Sequence, residues 1–214
     1  MLTELKKAFS RIETKIAVAL ALLFAFIGLL DIMSDIRGIF FLSGAQASMA
    51  YQGKWAEFFA TFILPVIAVM PYSDCYYCER KYGVHIAAAT RSGLKNYFYT
   101  KALAVIILSA SVAALTYIFN QLLCLIAFPA ERIRGAIFRT IYENPLAREF
   151  YVVPDKLLSM NHPFFRNALH ALFACYYGAG VGLFGYSVSL FFQKNRVITN
   201  LIPVAVCYIW TFVA

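Results

Sequence analysis

The stretch that decides the fold is ALAVIILSASVAALTYIFNQLLCLIAF, residues 102–128. Its polar residues are all uncharged, because it contains no Asp, Glu, Lys or Arg. At about 1.5 Å per residue, a helix of this length reaches about 40 Å, which exceeds the roughly 30 Å of bilayer hydrocarbon. The stretch therefore predicts a transmembrane helix that is long enough to tilt.

Further apolar runs lie on both sides of this stretch, at residues 16–30, 55–72, 167–192 and 197–214. Pro65 stands in the middle of the second run and predicts a kink there. We predict an all-α integral membrane protein, a polytopic bundle of five transmembrane helices that forms one domain over residues 1–214. The first run has no small-residue cleavage site and should remain as a span. The last run ends at Ala214 without a polar tail, so we expect a following span to be missing.

Composition excludes the soluble classes. The 214 residues are 62% hydrophobic and only 14% charged, whereas soluble domains are near half apolar and a quarter charged. The net charge of +8 does not indicate nucleic-acid binding, because the basic residues form short clusters beside apolar runs. Lipid is therefore expected to be part of the solvent of this chain.

The basic clusters predict an orientation in the cell membrane. Residues 1–15 mix apolar and basic residues with the spacing of an amphipathic helix on the membrane surface. Basic groups at residues 6–15, 80–101 and 194–196 fall on one side of a five-span bundle, which the positive-inside rule makes cytoplasmic. The N-terminus should then be cytoplasmic and residues 129–166, which also carry arginines, extracellular.

The sequence offers no catalytic set. No Asp, Glu, Lys or Arg stands in the middle of a predicted span, where Asn120 and Gln121 are among the few polar groups. The energy for any transport should therefore enter from outside the bilayer. Gly53-Lys54 lacks the other residues of a phosphate-binding P-loop, so ATP hydrolysis would belong to a partner chain and the protein should not be an enzyme.

The cysteines predict neither a metal nor a redox site. Cys75 and Cys78 form a CxxC with His85 nearby, which supplies at most three of the four ligands of a structural zinc. The remaining three lie in apolar runs and behave as small hydrophobic residues. No cofactor is expected.

Gly178 and Gly182 are spaced for close helix packing in the fourth apolar run. The contact could lie within the chain or between two copies of it. Neither glycine has a chemical role.

The segment 73–101, between the second and third predicted spans, is the most informative one. It has a dense charged turn, a break at Gly83, a short Ala-rich stretch and a basic approach to the third span. A short helix lying along the membrane here would offer a compact ridge to a cytosolic partner. An ordinary solvated loop with topology charges explains the same residues.

Two runs bring in a family resemblance. The run ILPVIAVMPYSDCYYCERKYG, residues 63–83, and the run TRSGLKNYFYTKAL, residues 90–103, resemble the second span, following turn and third-span approach of bacterial type-2 ABC exporter permeases. NHPFF at 161–165 and FFQKNR at 191–196 match the same family's pattern. The motif residues are Pro71, Tyr72, Asp74, Tyr76, Glu79, Arg80, Lys81 and Gly83.

The resemblance implies six spans per subunit, pairing with a second permease subunit, and a coupling helix that sits in a cytosolic ABC ATPase. The coupling element would be residues 74–90. Electrostatic docking is expected of Glu79, Arg80 and Lys81, and a helix-ending turn of Gly83. The chain departs from the family in having no sixth span and in carrying Cys75 and Cys78.

Two other classes compete with the permease. A non-transporting membrane scaffold or accessory protein would act through residues 129–166. A membrane-embedded enzyme would need paired acidic or histidine residues inside the bundle, and His85, His162 and His170 have no carboxylate beside them in a predicted span.

Overall fold

The computed structural model describes residues 2–35, 44–45, 47–48, 58–128, 162–192 and 195–213. These residues are helical apart from turns and short connections. The helices are α1 (Leu2–Ser10), α2 (Ile12–Asp35), a π-helical turn (Phe59–Ile63) that runs into α3 (Leu64–Val69), α4 (Cys75–Lys81), α5 (Val84–Ser92), α6 (Leu94–Ala127), α7 (Pro163–Phe191) and α8 (Arg196–Val213).

Three helices are long and apolar enough to cross a membrane. They cover Ile12–Met33 in α2, Leu94–Ala127 in α6 and Pro163–Phe191 in α7. The second and fifth predicted spans correspond to shorter apolar helices, Phe59–Val69 and Arg196–Thr211. The all-helical membrane fold is thus confirmed for the described residues, whereas the count of five spans is not. Most of the predicted extracellular segment, residues 129–161, lies outside them.

The third apolar helix begins earlier than the sequence predicts. Helix α6 starts at Leu94 and not at residue 102, so the last eight residues of the expected polar segment are helical. The difference has a tertiary cause, because Lys101 is buried and paired with acids from two other helices, as described below. A charge that finds partners inside the bundle need not end the span.

Pro65 lies at a change of helix type. The residues before it form the π-helical turn, in which the N–H of Leu64 bonds to the carbonyl of Phe59. Proline has no N–H to donate and its ring clashes with the preceding turn of an α-helix. A widened turn just before Pro65 accommodates both effects, and such turns are a recognised source of helix bending.

Helices α6 and α7 pack closely through the small residues that the sequence singles out. A Cβ on Gly178 would stand 2.7 Å from the Ala113 Cβ, and one on Gly182 would overlap the Ser109 side chain. Ser109 also donates a 2.7 Å hydrogen bond to the Ala68 carbonyl of α3. The sequence left open whether these glycines pack within the chain or between two copies of it. In the structure they pack within the chain, against α6.

At the other end of the bundle, Gly44 and Ala45 contact α6 and α7. Gln121 donates to the Gly44 carbonyl at 3.1 Å, and Asn167 donates to the Ala45 carbonyl at 2.7 Å and to the Gln121 side-chain oxygen at 2.5 Å. Gly44 and Ala45 are buried, and a buried backbone carbonyl outside a helix needs a hydrogen-bond donor. The amides of α6 and α7 meet that requirement for these carbonyls.

Candidate functional site at the charged end of the bundle

The turn after α3 carries a buried carboxylate, Asp74, with only 1% of its side chain exposed. The Arg11 guanidinium lies 2.8 Å from one oxygen, and Arg196 contacts the other. Burial alone would lower the pKa of Arg11, but the charge of Asp74 raises it above its ordinary value. Arg196 also pairs with Glu13. Asp74 therefore joins the start of α2 and the start of α8 to the turn.

A second buried charge, Lys101, lies in α6 with 2% of its side chain exposed. Its Nζ is 2.6 Å from a Glu79 oxygen of α4 and 3.2 Å from a Glu4 oxygen of α1. The ammonium also faces the rings of Tyr97 and Tyr72, at 5.1 and 5.7 Å from their centroids. Two carboxylates and two aromatic faces replace the water that Lys101 loses.

Tyrosine hydroxyls donate hydrogen bonds to the two carboxylates that face Lys101. Tyr72 donates to Glu4 at 2.7 Å, and Tyr97 donates to Glu79 at 2.6 Å. Burial alone would raise the pKa of Glu4, but the hydrogen bonds from Tyr72 and Lys7 and the charge of Lys101 lower it to about 2. Burial, helped by the neighbouring Cys75 and Glu4, raises the pKa of the Tyr72 hydroxyl. We call the eight charged residues of this network the charged cluster: Glu4, Lys7, Arg11, Glu13, Asp74, Glu79, Lys101 and Arg196.

Helices α4 and α5 lie between the second and third apolar helices and are here called the connecting helices. Gly83 separates them with φ 70°, a left-handed conformation that favours glycine. Gly93 has φ 78° and separates α5 from α6. Gly83 therefore lies at the end of α4 in the structure, and the short helix α5 follows it.

The predicted docking residues divide into two groups. Asp74 and Glu79 point into the protein as members of the charged cluster, so their side chains hold the connecting helices to the bundle. Arg80, Lys81 and Gly83 are exposed at the turn. Tyr76 is half-buried, with its ring 5.8 Å from that of Phe98 and 6.2 Å from that of His85. A partner could reach the turn but not the two acids.

The two cysteines of the CxxC differ in exposure, since Cys75 is buried and Cys78 is half-buried. Cys75 is fully buried, and burial raises the pKa of its thiol to about 12. Cys78 donates to Asp74 at 3.5 Å, and burial raises its pKa as well. Among the described residues there is no group of three or more His, Cys, Asp or Glu that could hold a metal ion.

A cavity of about 230 Å³ opens beside the cluster. It is lined by Lys7, Arg11, Tyr72, Cys78, Glu79, Tyr82 and Val84. The cations at this cavity already have acid partners, Glu4 for Lys7 and Asp74 for Arg11. The cavity marks the junction of α1 with the connecting helices.

Sequence reasoning missed the partners in this cluster. It treated Arg11, Lys101 and Arg196 as topology signals and assigned no role to Glu4 and Glu13. The available signal was an acid close to two of the three basic groups, such as Glu4 beside Lys7 and Glu79 beside Arg80, whereas residues 156–214, which include Arg196, contain no acid. Which acid meets which base depends on contacts 22 to 183 residues apart in the chain, from Lys101 with Glu79 to Arg196 with Glu13.

The fold and the site define a helical membrane protein with a charged cluster at one end of its bundle. No protein-family model matches the chain, and no curated protein or solved structure is significantly similar to it.

Proposed function

We propose that this protein is the membrane-spanning permease subunit of an ATP-driven exporter of the ABC type. It would move its substrate by alternating access, powered by a separate cytosolic ATPase, and would act with a second permease subunit. It would sit in the cell membrane with its N-terminus and charged end in the cytoplasm. The resemblance of residues 63–83 and 90–103 to type-2 exporter permeases motivates the proposal.

One structural observation carries it. The connecting helices present exposed Arg80, Lys81 and Tyr82, the last with 76% of its surface accessible. Behind them, Asp74 and Glu79 tie the same segment to the bundle through buried ion pairs. A partner that pushed on the exposed turn would therefore transmit force to the apolar helices, because buried pairs are costly to separate.

The contacts of the charged cluster distribute that force. Asp74 reaches α2 through Arg11 and α8 through Arg196, and Glu79 reaches α6 through Lys101. Ser73 adds a 3.2 Å contact with the Asn200 side chain of α8. In the proposed mechanism, movement of the connecting helices shifts α2, α6 and α8 together, which is what opening one side of a pathway requires.

The test is recovery of a P-loop ATPase with the full-length chain purified from its host's membranes, and stimulation of its ATP hydrolysis in liposomes. We expect the double substitution R80E/K81E to abolish recovery while leaving the chain folded. The matched control is K6E/K15E, which reverses two exposed charges outside the connecting helices. Recovery of the ATPase with R80E/K81E would contradict the docking assignment, and no ATPase with the parent chain would contradict the proposed function.

Orientation provides an independent test. The native thiols are unsuitable, because Cys75 is fully buried. A single cysteine at Lys81 or Tyr82, with the native cysteines replaced, should resist an impermeant thiol reagent on intact cells and react after permeabilisation. Reaction on intact cells would place the connecting helices outside and contradict the exporter.

A further inference from the structure

The charged end of the bundle carries a large excess of positive charge once its ion pairs are counted. Its four acids in the described residues are Glu4, Glu13, Asp74 and Glu79, and each is bound by a cation of the same network. Those cations are Lys7, Arg11, Lys101 and Arg196. The four acids are therefore neutralised by cations within the network and do not offset the positive charge of the exposed residues.

Six cations remain at this end without an acid partner in the described residues. They are Lys6, Lys15, Arg80, Lys81, Arg91 and Lys95, and all six are exposed. Arg80 and Lys81 lie at the exposed turn of the connecting helices. The other four lie on the helices that enter the bundle, α1, α2 and α6, or directly before one of them, at the end of α5.

Exposed apolar and aromatic side chains accompany these four cations. Phe9 is 57% exposed and Ile12 is 68% exposed near Lys6 and Lys15. Leu94 is 66% exposed and Tyr99 is 70% exposed near Arg91 and Lys95. Basic residues mixed with large apolar ones are typical of surfaces that lie in the interface of a bilayer.

Lys95 lies farther out along α6 than the buried charges. Lys101 contacts Glu4 of α1, so both lie at one level of the bundle. Lys95 precedes Lys101 by six residues, which corresponds to about 9 Å along the helix. Lys95 therefore lies beyond the level of the Lys101–Glu4 pair, on the side away from the apolar run of α6.

We propose that Lys6, Lys15, Arg91 and Lys95 form a binding surface for the headgroups of anionic membrane lipids, with Phe9, Ile12, Leu94 and Tyr99 inserted among the acyl chains. The net positive charge is complementary to phosphatidylglycerol-type lipids and not to zwitterionic ones. The inference does not depend on the proposed function. The lipid-binding surface does not include Arg80 and Lys81, which belong to the proposed ATPase-docking turn. The lipid proposal and the proposed function can therefore fail separately.

The experiment measures lipid retained by the purified full-length chain in nanodiscs made with equal amounts of phosphatidylglycerol and phosphatidylcholine. We expect the parent to retain the anionic lipid preferentially, with the preference falling as salt rises. Each of the pairs K6Q/K15Q and R91Q/K95Q should lower the enrichment several-fold, since one basic residue near a membrane contributes at most about fivefold. The matched control R80Q/K81Q also removes two charges and should leave the enrichment unchanged.

Three results would overturn the proposal. One is an equal loss of enrichment in all three pairs, which would show that net charge alone matters. Another is no preference for the anionic lipid in the parent. The third is full displacement of the anionic lipid by soluble glycerol phosphate, which would indicate a site for a free phosphate group. Thermal unfolding of each variant in zwitterionic lipid verifies that the substituted chain is folded.

Discussion

Arg11 lies 2.8 Å from Asp74, although 63 residues separate them in the chain, and the carboxylate between Arg11 and Arg196 has only 1% of its side chain exposed. This contact joins the first apolar helix to the turn after the second. Arg11 is itself only 21% exposed. Its charge would therefore be left poorly solvated if Asp74 were lost.

Asp74→Asn is expected to destabilise the protein by about 2–3 kcal/mol. Breaking a buried pair from one side costs about 3–5 kcal/mol, and the 40% exposure of Arg196 reduces that penalty. Thermal unfolding in detergent measures the loss. The double variant R11M/D74L should recover part of it, since apolar replacement of both partners leaves fewer uncompensated charges. Equal stability of Asp74→Asn and the parent would show that the pair contributes nothing.

Lys101→Met should be at least as damaging, because it leaves Glu4 and Glu79 facing each other without their cation. We expect a loss of about 3 kcal/mol and greater susceptibility of α1 to protease. The matched control is Lys95→Met, which removes an exposed lysine from the same helix and should change stability by less than about 0.5 kcal/mol. Similar effects of the two substitutions would argue against the buried network.

Acid should release α1 from the bundle in a defined pH window. The pKa of Glu4 is lowered to about 2 in the folded protein from an ordinary value of 4.5. A lowered folded pKa gives stability that is complete above 4.5 and is lost as the pH falls towards 2. Protease cleavage within α1 should accelerate over this window. Tyr72→Phe removes a hydrogen bond to Glu4 and should move the acceleration to higher pH, whereas an unchanged profile would exclude Glu4 as its source.

Gly182→Ala should disrupt the packing of α7 on α6. The added Cβ would overlap the Ser109 side chain, which also bonds to the Ala68 carbonyl. We expect a loss of about 1–3 kcal/mol in thermal unfolding. Gly180→Ala is the matched control two residues away, where a Cβ would meet nothing within 4 Å. It should be neutral or slightly stabilising, because alanine favours helix more than glycine. A larger effect at Gly180 than at Gly182 would contradict the packing.

The sequence predicted the helices better than it predicted their ends. The apolar runs gave the positions of α2, α6, α7 and α8 within a few residues, except that α6 begins at Leu94. Lys101 stands directly before an apolar run, and a lone charge in that position predicts the end of a span. Its partners Glu4 and Glu79 come from distant segments, and local sequence cannot show them.

Only part of the candidate site could be predicted from the sequence, because its partners also come from distant segments. The turn at Gly83 is a local backbone property and could be read from the glycine after a charged helix. The inward direction of Asp74 and Glu79 could not be read from the sequence. An acid in a polar segment has the same local pattern whether it faces solvent or a buried cation. The Gly178 and Gly182 spacing predicted close packing, and only the fold showed that the neighbour is α6.

The sequence by itself determined that this chain folds as apolar helices with its basic residues beside them, because hydrophobicity and helical length are properties of contiguous residues. The tertiary structure alone decided which charges are buried in pairs and which remain on the surface. Ion pairing depends on distances between residues that the chain keeps far apart, as Arg11, Asp74 and Arg196 are.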